Sequence, residues 1–579
     1  MNIYFYAVIV IFFTSINGRA LANTAKDIDR TYYSPLNVGD YLSGVYAART
    51  KDSDTASEIF TQALKESPNN PVFVENGYKI NLKLGNIDQS ADLAQKYSEM
   101  AQANSDINLL IATKAINNRN YSEALRILNL DTSTYEEITV SSSINRVINP
   151  FLKIWATLGM GNTAEVKLML SEELKKNSTP SLFTYYQSAL IHYMLGNIPE
   201  TEANLSNINL NYEGLPYHFV KKSGIFYESI QKTDTALSLY SKYQDSLPDS
   251  KYFDNDIAKI KGGEKTNQKF ITDAKEGFSE VLAEAARVLY NSGYYDELLP
   301  YLQLALYLQP TNDEMKMILA STYENSNNYL KAVEIYQTIP ASSDFYLKSR
   351  VLVAHNLYDR GDKQSAYDHL TYVIDKSNIK STNFAVLTLA DLYRKDLQFE
   401  KASVLYSKVL ENSDEKSIND WSIYFARGIC FERINNWNLA EKDLLHALKL
   451  EPQQPDLLNY LGYSWIDRNK NLEEATQMVV AAVKARPNDP QIIDSMGWIF
   501  FKSQNYDMAA EYLEKAAEIT PYDSVINDHL GDTYWKQGRH NEAIFQWKRA
   551  LKYDARKDLS VIDVNNKIEN GLDGLGNKS

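Results

Sequence analysis

Along most of this chain, apolar residues recur three or four positions apart, the spacing that places side chains on one face of a helix. Short polar clusters with Gly, Asn or Pro separate the runs. The pattern is most regular between Trp421 and Arg556. There Gly428, Gly462, Gly497 and Gly531 follow one another at intervals of 34, 35 and 34 residues. Each is followed by an alanine 12 or 13 residues later (Ala440, Ala475, Ala509, Ala543) and by a second one seven residues beyond that (Ala447, Ala482, Ala516, Ala550). Pro452, Pro487 and Pro521 close three of the four units. Each unit predicts two helices joined by a tight turn, and the chain as a whole is predicted to be almost entirely helical.

The residue types have a packing reason. Numbered from the start of a unit, small residues at positions 8, 20 and 27 let neighbouring helices approach closely. Large side chains at positions 11 and 24 (Phe431 and Leu444, Phe500 and Leu513, Tyr534 and Trp547) fill the space between. Proline at position 32 ends the second helix, because it has no N–H for the helix ladder. This is the spacing of the tetratricopeptide (TPR) repeat, a helix–turn–helix of about 34 residues. A lone unit cannot bury its apolar face, so stacked units must share one elongated core. The predicted fold is therefore an all-α TPR solenoid, a right-handed superhelix of about 12 repeats in two superhelical halves.

The pattern extends, weakened, toward the N-terminus. Gly44, Ala56, Phe60, Ala63 and Pro68 place a first repeat at 37–70. Five poorer units follow, marked by Tyr78 and Ala91, Ala112 and Ala124, Ala156 and Ala164, Ala189 and Gly196, and Gly224 and Tyr240. Together they make a degenerate array over 37–248. Residues 249–270, with Gly262 and Gly263 among lysines and aspartates, break the register and read as a loop or hinge. A middle array over 271–420 leads into the strong repeats at 421–556. Leu559, Ile562 and Ile568 suggest a capping helix at 557–570, and 571–579 reads as a disordered tail. At the inter-helix turns, Gly85, Gly196, Gly293, Gly361, Gly538, Asn327 and Asn435 stand where a left-handed residue ends a helix. Two residues later an aromatic recurs, as at Tyr121, Tyr295, Tyr329, Phe399, Trp437 and Tyr506. These read as core, and account for much of the high tyrosine content.

Composition narrows the function. The net charge of −14 argues against nucleic acid or an anionic membrane surface as the main partner. Cys430 is the only cysteine, so the chain has no internal disulfide and no cysteine-based metal site. On a packing helix it reads as a buried structural thiol rather than a reactive one. Residues 1–22 carry an apolar run from Ile3 to Phe13 and end in Ala20-Leu21-Ala22, the form of a signal peptide with a mature start at Asn23. An uncleaved inner-membrane anchor is the alternative. No cysteine lies near the cleavage site, so no lipid anchor is expected, and 23–36 reads as a linker or N-terminal cap.

No catalytic constellation appears. The seven histidines are scattered, and no metal-binding, phosphate-binding or nucleophile-elbow motif occurs. No cofactor or metal is expected, and an unrecognised enzyme is the remote alternative. A TPR array presents positions 2, 5, 9 and 12 of its first helices on the inner wall. In the strong repeats these positions predict a protein-binding groove of Phe425, Asn459, Tyr463, Ile466, Asp494, Trp498, Phe501, Asp528, Asp532 and Trp535. The mixture suits an extended or helical peptide with apolar anchors and some positive charge. Packing of these aromatics against a neighbouring turn is the alternative.

Several segments carry a further resemblance: Leu458-Asn459-Tyr460-Leu461-Gly462-Tyr463-Ser464, Asp494-Ser495-Met496-Gly497-Trp498, His529-Leu530-Gly531-Asp532 and Gln546-Trp547-Lys548, together with the stretch from Glu276 to Pro310. The chain resembles a family of bacterial envelope TPR proteins, one type of which is a lipoprotein adaptor that presents cell-wall hydrolases to a periplasmic C-terminal-processing protease. The resemblance implies a periplasmic adaptor whose partners are a serine protease and its substrates. The alternative is an envelope or secretion assembly scaffold without a protease. The absent lipid-bearing cysteine is a departure from the family pattern.

Overall fold

The computed structural model describes residues 35–50, 52–101, 104–130, 139–176, 180–210, 214–246, 252–264, 268–376, 383–412, 420–554 and 559–572. The expected signal peptide, most of the 23–36 linker and the tail beyond Leu572 lie outside the described residues. Among the described residues all thirty elements are helices, and twenty-eight of them follow one another as fourteen helix–turn–helix units, against the twelve or so expected. The weak N-terminal units and the middle array are all helical hairpins. Among the described residues no helix is long and apolar enough to cross a membrane.

Local chemistry sets the ends of the helices. Pro455 and Pro490 occupy first-turn positions, where a missing N–H costs nothing. Asp489 accepts from the N–H groups of Gln491 and Ile492, and Asp523 accepts from those of Val525 and Ile526, satisfying donors that the helix cannot pair internally. The seven turn residues named above all have positive φ, from 58° at Asn327 to 89° at Gly361. Tyr121, Tyr295, Tyr329, Phe399, Trp437 and Tyr506 each open the second helix of their hairpin.

The small residues at position 8 carry the packing. A Cβ on Gly497 would lie 2.6 Å from Leu513 Cγ, and one on Gly531 would lie 2.5 Å from Trp547 Cδ1. A Cβ on Gly224 would lie 2.2 Å from the Tyr240 ring, so the degenerate repeats obey the same rule. Cys430 is fully buried, and burial pushes its thiol up to about 12, consistent with a packing role.

The described chain divides into two compact units, one ending at Arg360 and the other starting at Gly361. The division falls in the turn after helix Tyr346–Asp359 and not in the 249–270 segment. That segment lies within the first unit and holds an extra helix, Asp254–Lys261. Phe253 just before it is fully buried, stacked on Tyr217 and Tyr240 at 5.3 and 4.6 Å. Phe270, at the other end of the expected loop, is also fully buried, with its ring 5.2 Å from Tyr193 and 5.5 Å from Phe226, so two aromatic residues pin the segment. Correspondingly, Lys221 reaches both Asp256 at 2.6 Å and Asp344 at 2.9 Å.

Alanine at Gly497 or Gly531 is expected to lower stability by about 1–3 kcal/mol, since the facing side chain cannot retreat without disturbing its own hairpin. Gly39→Ala, with nothing within 4 Å of the added carbon, is the control and should show no such loss. Denaturant midpoints of the three variants check this.

Candidate functional site

In the first unit the inner face is already filled. The hairpin formed by Ala274–Asn291 and Tyr295–Leu308 packs against the first helices of earlier hairpins, at Pro71–Leu84, Ser105–Asn117, Val140–Gly159 and Leu182–Met194. Gly277 makes this possible: its missing Cβ would stand 2.3 Å from the Trp155 ring. Tyr301 donates to Asn145 Oδ1 at 2.8 Å, and Gln303 donates to the Lys83 carbonyl at 3.0 Å. Charged residues tie the same hairpin to helices Tyr217–Ser229 and Asp313–Asn325. Lys222 lies 2.9 Å from Glu276, His218 lies 2.7 Å from Glu284, and Arg287 pairs with Glu284 and, at 2.7 Å, with Glu314. Burial would raise the Glu284 carboxyl, but His218 and Arg287 outweigh it and hold it down at about 2. These groups neutralise one another, and among the described residues no set of three His, Cys, Asp or Glu side chains is arranged to hold a metal ion.

In the second unit the first helices of the strong repeats, Asp420–Arg433, Pro455–Asp467, Pro490–Lys502 and Ser524–Lys536, follow one another along the inner wall, with direct contact between the second and third and between the third and fourth. The ten residues read from the sequence fall into three groups. Ile466 is buried in the apolar core. Phe425, Asn459, Tyr463 and Phe501 are half-buried and form the accessible part of the strip. Phe425 meets the Tyr460 ring edge-on at 5.6 Å.

The remaining five are engaged by the chain itself: four are buried and Trp535 is half-buried. Trp498 is only 8% exposed, sandwiched between Phe501 at 4.6 Å and His529 at 4.0 Å with nearly parallel rings. Asp494 is buried and holds His529 Nδ1 at 2.9 Å, while the Tyr463 hydroxyl lies 3.4 Å from His529 Nε2. Asp528 and Asp532 are both buried and share Lys567 of helix Val561–Asn570, at 2.8 and 2.9 Å. Asp532 also accepts from the Trp547 indole N–H at 2.8 Å. Trp535 stacks on His540 at 4.1 Å and lies beneath Gly571. Gly571 and Leu572, expected in the tail, are therefore packed: Gly571 is buried and Leu572 joins the last apolar cluster.

The role of His529 was not legible in the sequence, because the residue stands at a position of its repeat that the wall pattern does not count, although it opens one of the segments that carry the resemblance. Burial alone would push its imidazole down, but Asp494, with Asp528 and Asp532, raises it above the ordinary histidine range. Burial and the neighbouring Asp528 push Asp532 up to about 6, against the pull of Lys567 and Trp547. Among the described residues, Asn459 Oδ1, the Trp498 indole N–H and Asp528 Oδ1 are enclosed and find no hydrogen-bond partner.

Residues 491–523 and 526–557 match the tetratricopeptide repeat family model. The second unit carries TPR repeats. A TPR repeat-containing protein of Pseudomonas aeruginosa is 29% identical over 212 residues, covering 36% of this chain and 34% of that protein. A BBSome complex member BBS4 homolog of Drosophila melanogaster is 23% identical over 249 residues, 41% of this chain and 50% of that protein. A tomato (Solanum lycopersicum) protein named as a probable peptide N-acetylglucosaminyltransferase, SPINDLY, is 32% identical over 102 residues, 18% of this chain and 10% of that protein. The chain thus spans half or less of the length of these relatives. Among solved structures, yeast Tom70 is 15% identical with a TM-score of 0.31, covering 90% of this chain and 92% of that one. The Cut9–Hcn1 assembly of the APC/C is 14% identical with a TM-score of 0.36, covering 93% and 97%.

The TPR stack should lose stability as pH rises. A group whose folded pKa is raised contributes stability that is fully present below its unfolded value, 3.8 for Asp532 and 6.5 for His529, and that is lost as pH rises through the folded value. Asp532→Asn is expected to flatten the part of this decline that passes through about pH 6. Hydrogen exchange of helix Ser524–Lys536 between pH 5 and 8 provides the measurement.

Proposed function

We propose that the protein is a non-enzymatic scaffold that binds other proteins through the open strip of its TPR unit, centred on Phe425, Asn459, Tyr463 and Phe501. The observation that carries this reading is that Phe425, Asn459, Tyr463 and Phe501 stay half-buried on the first helices of successive TPR hairpins. The partly exposed Asn459 amide carries both a donor and an acceptor, which a polypeptide main chain laid along the strip complements. The half-buried rings on either side offer apolar anchors of the kind that dominate protein interfaces.

The finer reading is that the protein is exported to a bacterial envelope and works there as an adaptor that delivers substrates to a periplasmic C-terminal-processing protease. Its support is the resemblance of the segments around Asn459, Asp494 and His529 to that adaptor type. Affinity purification from envelope extracts, read by mass spectrometry, tests it. Recovery of a serine protease supports the adaptor. Recovery of assembly or secretion components alone replaces it with an envelope-assembly scaffold, and turnover of a substrate by the purified protein would overturn the non-enzymatic reading.

Asn459→Ala and Phe425→Ala are the informative substitutions, because both residues are partly exposed and neither holds a charged pair. Each is expected to weaken binding of the captured partner by about 1–3 kcal/mol with little change in thermal midpoint. Titration calorimetry beside thermal melts separates lost contact from lost fold. Full-strength binding by the well-folded double variant would place the interface elsewhere.

A further inference from the structure

Helix Val561–Asn570 lies against the inner face of the last hairpin and uses one side of itself to do so. Val564 and Lys567 are buried, Ile568 and Leu572 join the same apolar cluster as Tyr534 and Trp547, and Gly571 closes over Trp535. Val564, Lys567 and Ile568 stand three and four positions apart on one helix face, and Gly571, at a φ of 69°, ends the helix and turns Leu572 onto the same surface. On the other side Val561 and Ile562 stand 56% and 75% exposed.

The surface beneath the helix has the parts of a recognition site. Asp528 and Asp532 hold one ammonium between them at 2.8 and 2.9 Å. The Trp535 ring admits only a residue without a side chain, since a Cβ on Gly571 would come within 1.9 Å of its Cζ2. Tyr534 and Trp547 contribute to an apolar floor. Each contact is made by a side chain or a missing side chain, so another helix with the same pattern makes them equally well. The fit is also imperfect in a definite way. Two carboxylates share one lysine, and Asp528 Oδ1 remains buried without a partner. Burying three charges carries a desolvation cost that their mutual attraction offsets only in part, so the helix is held less firmly than these contacts alone imply.

We propose that the inner face of the last TPR hairpin is a binding site for an amphipathic helix bearing a lysine, which the chain fills with its own residues 561–572, and that a partner helix with the same order of residues exchanges with it. The order is an apolar residue, a lysine three positions on, an apolar residue next to it, and a glycine three positions further. The internal helix competes at the effective concentration of a tethered segment, on the order of millimolar. A partner therefore displaces it only by fitting the carboxylate pair better or by being held nearby at the open strip. The site itself stands whether or not that strip binds anything.

The test uses the full chain and a fluorescent peptide of residues 559–572. Lys567→Glu should strip helix 561–570 of amide protection in hydrogen exchange while helices Ser524–Lys536 and His540–Tyr553 keep theirs. The peptide should then bind this variant about tenfold or more tighter than the wild-type chain, read by anisotropy, and the same peptide with Glu at the lysine position should not bind. Lys567→Ala is the milder companion if the charge reversal disturbs the hairpin. Continued protection of helix 561–570 in both variants would overturn the proposal. So would failure of the peptide to bind a variant whose own helix is released. Loss of protection across the whole last hairpin in both variants would also overturn it, since the helix would then be part of the stack and not an occupant of it.

Discussion

The fold depends on the close approach of paired helices where one of them lacks a side chain. Gly224 receives the Tyr240 ring, Gly497 receives Leu513, and Gly531 receives the Trp547 indole, each at a distance that an added carbon would make impossible. A large residue on the second helix thus enters space vacated on the first, and the hairpin closes around it. The same device works over a longer range in the first unit, where Gly277 admits Trp155 and lets one whole hairpin lie against the inner helices of several others. Repeat packing and closure of the first unit are one steric solution applied at two scales.

This is why so much of the fold could be read in advance. A requirement for a small residue at a fixed distance from a large one leaves a mark in sequence, and so does a turn that needs positive φ; Gly85, Gly361, Asn327 and Asn435 all show it. Requirements with no fixed spacing leave none. The helix Asp254–Lys261 is short and crowded with charge, and it is held by Phe253, whose stacking partners Tyr217 and Tyr240 come from a different hairpin. The expected loop reflected composition, and two buried rings, Phe253 and Phe270, decided otherwise.

The candidate site shows the same limit more sharply. Repeat numbering places residues such as Trp498 and Asp532 on the inner wall, but it is silent on what lies against them. Lys567 reads as an ordinary solvated lysine on a short helix, and His529 as one of seven scattered histidines. Their roles come from contacts across 35 residues or more, to Asp532 and Asp494. In the first unit, likewise, nothing local marks Glu280, Glu284 and Arg287 as buried, because each has the pattern of a charged residue on an exposed helix face until His218, Glu314 and Tyr186 are brought to it.

The distribution of charge decides what kind of recognition remains. The inner-wall carboxylates that seemed ready to steer a basic partner are already engaged, Asp494 by His529 and Asp528 and Asp532 by Lys567. The four residues left accessible on the strip, Phe425, Asn459, Tyr463 and Phe501, carry no formal charge at neutral pH. Under the proposed reading, binding there rests on ring burial and on hydrogen bonds to the Asn459 amide, both of which are short-ranged and little affected by salt. Under the proposed exchange, electrostatic selection enters where the chain's own lysine gives way to another, at the last hairpin. A partner that engaged both places would read an apolar, directional surface and a charge-reading one, and contact along the strip would supply the proximity that exchange at the carboxylate pair requires.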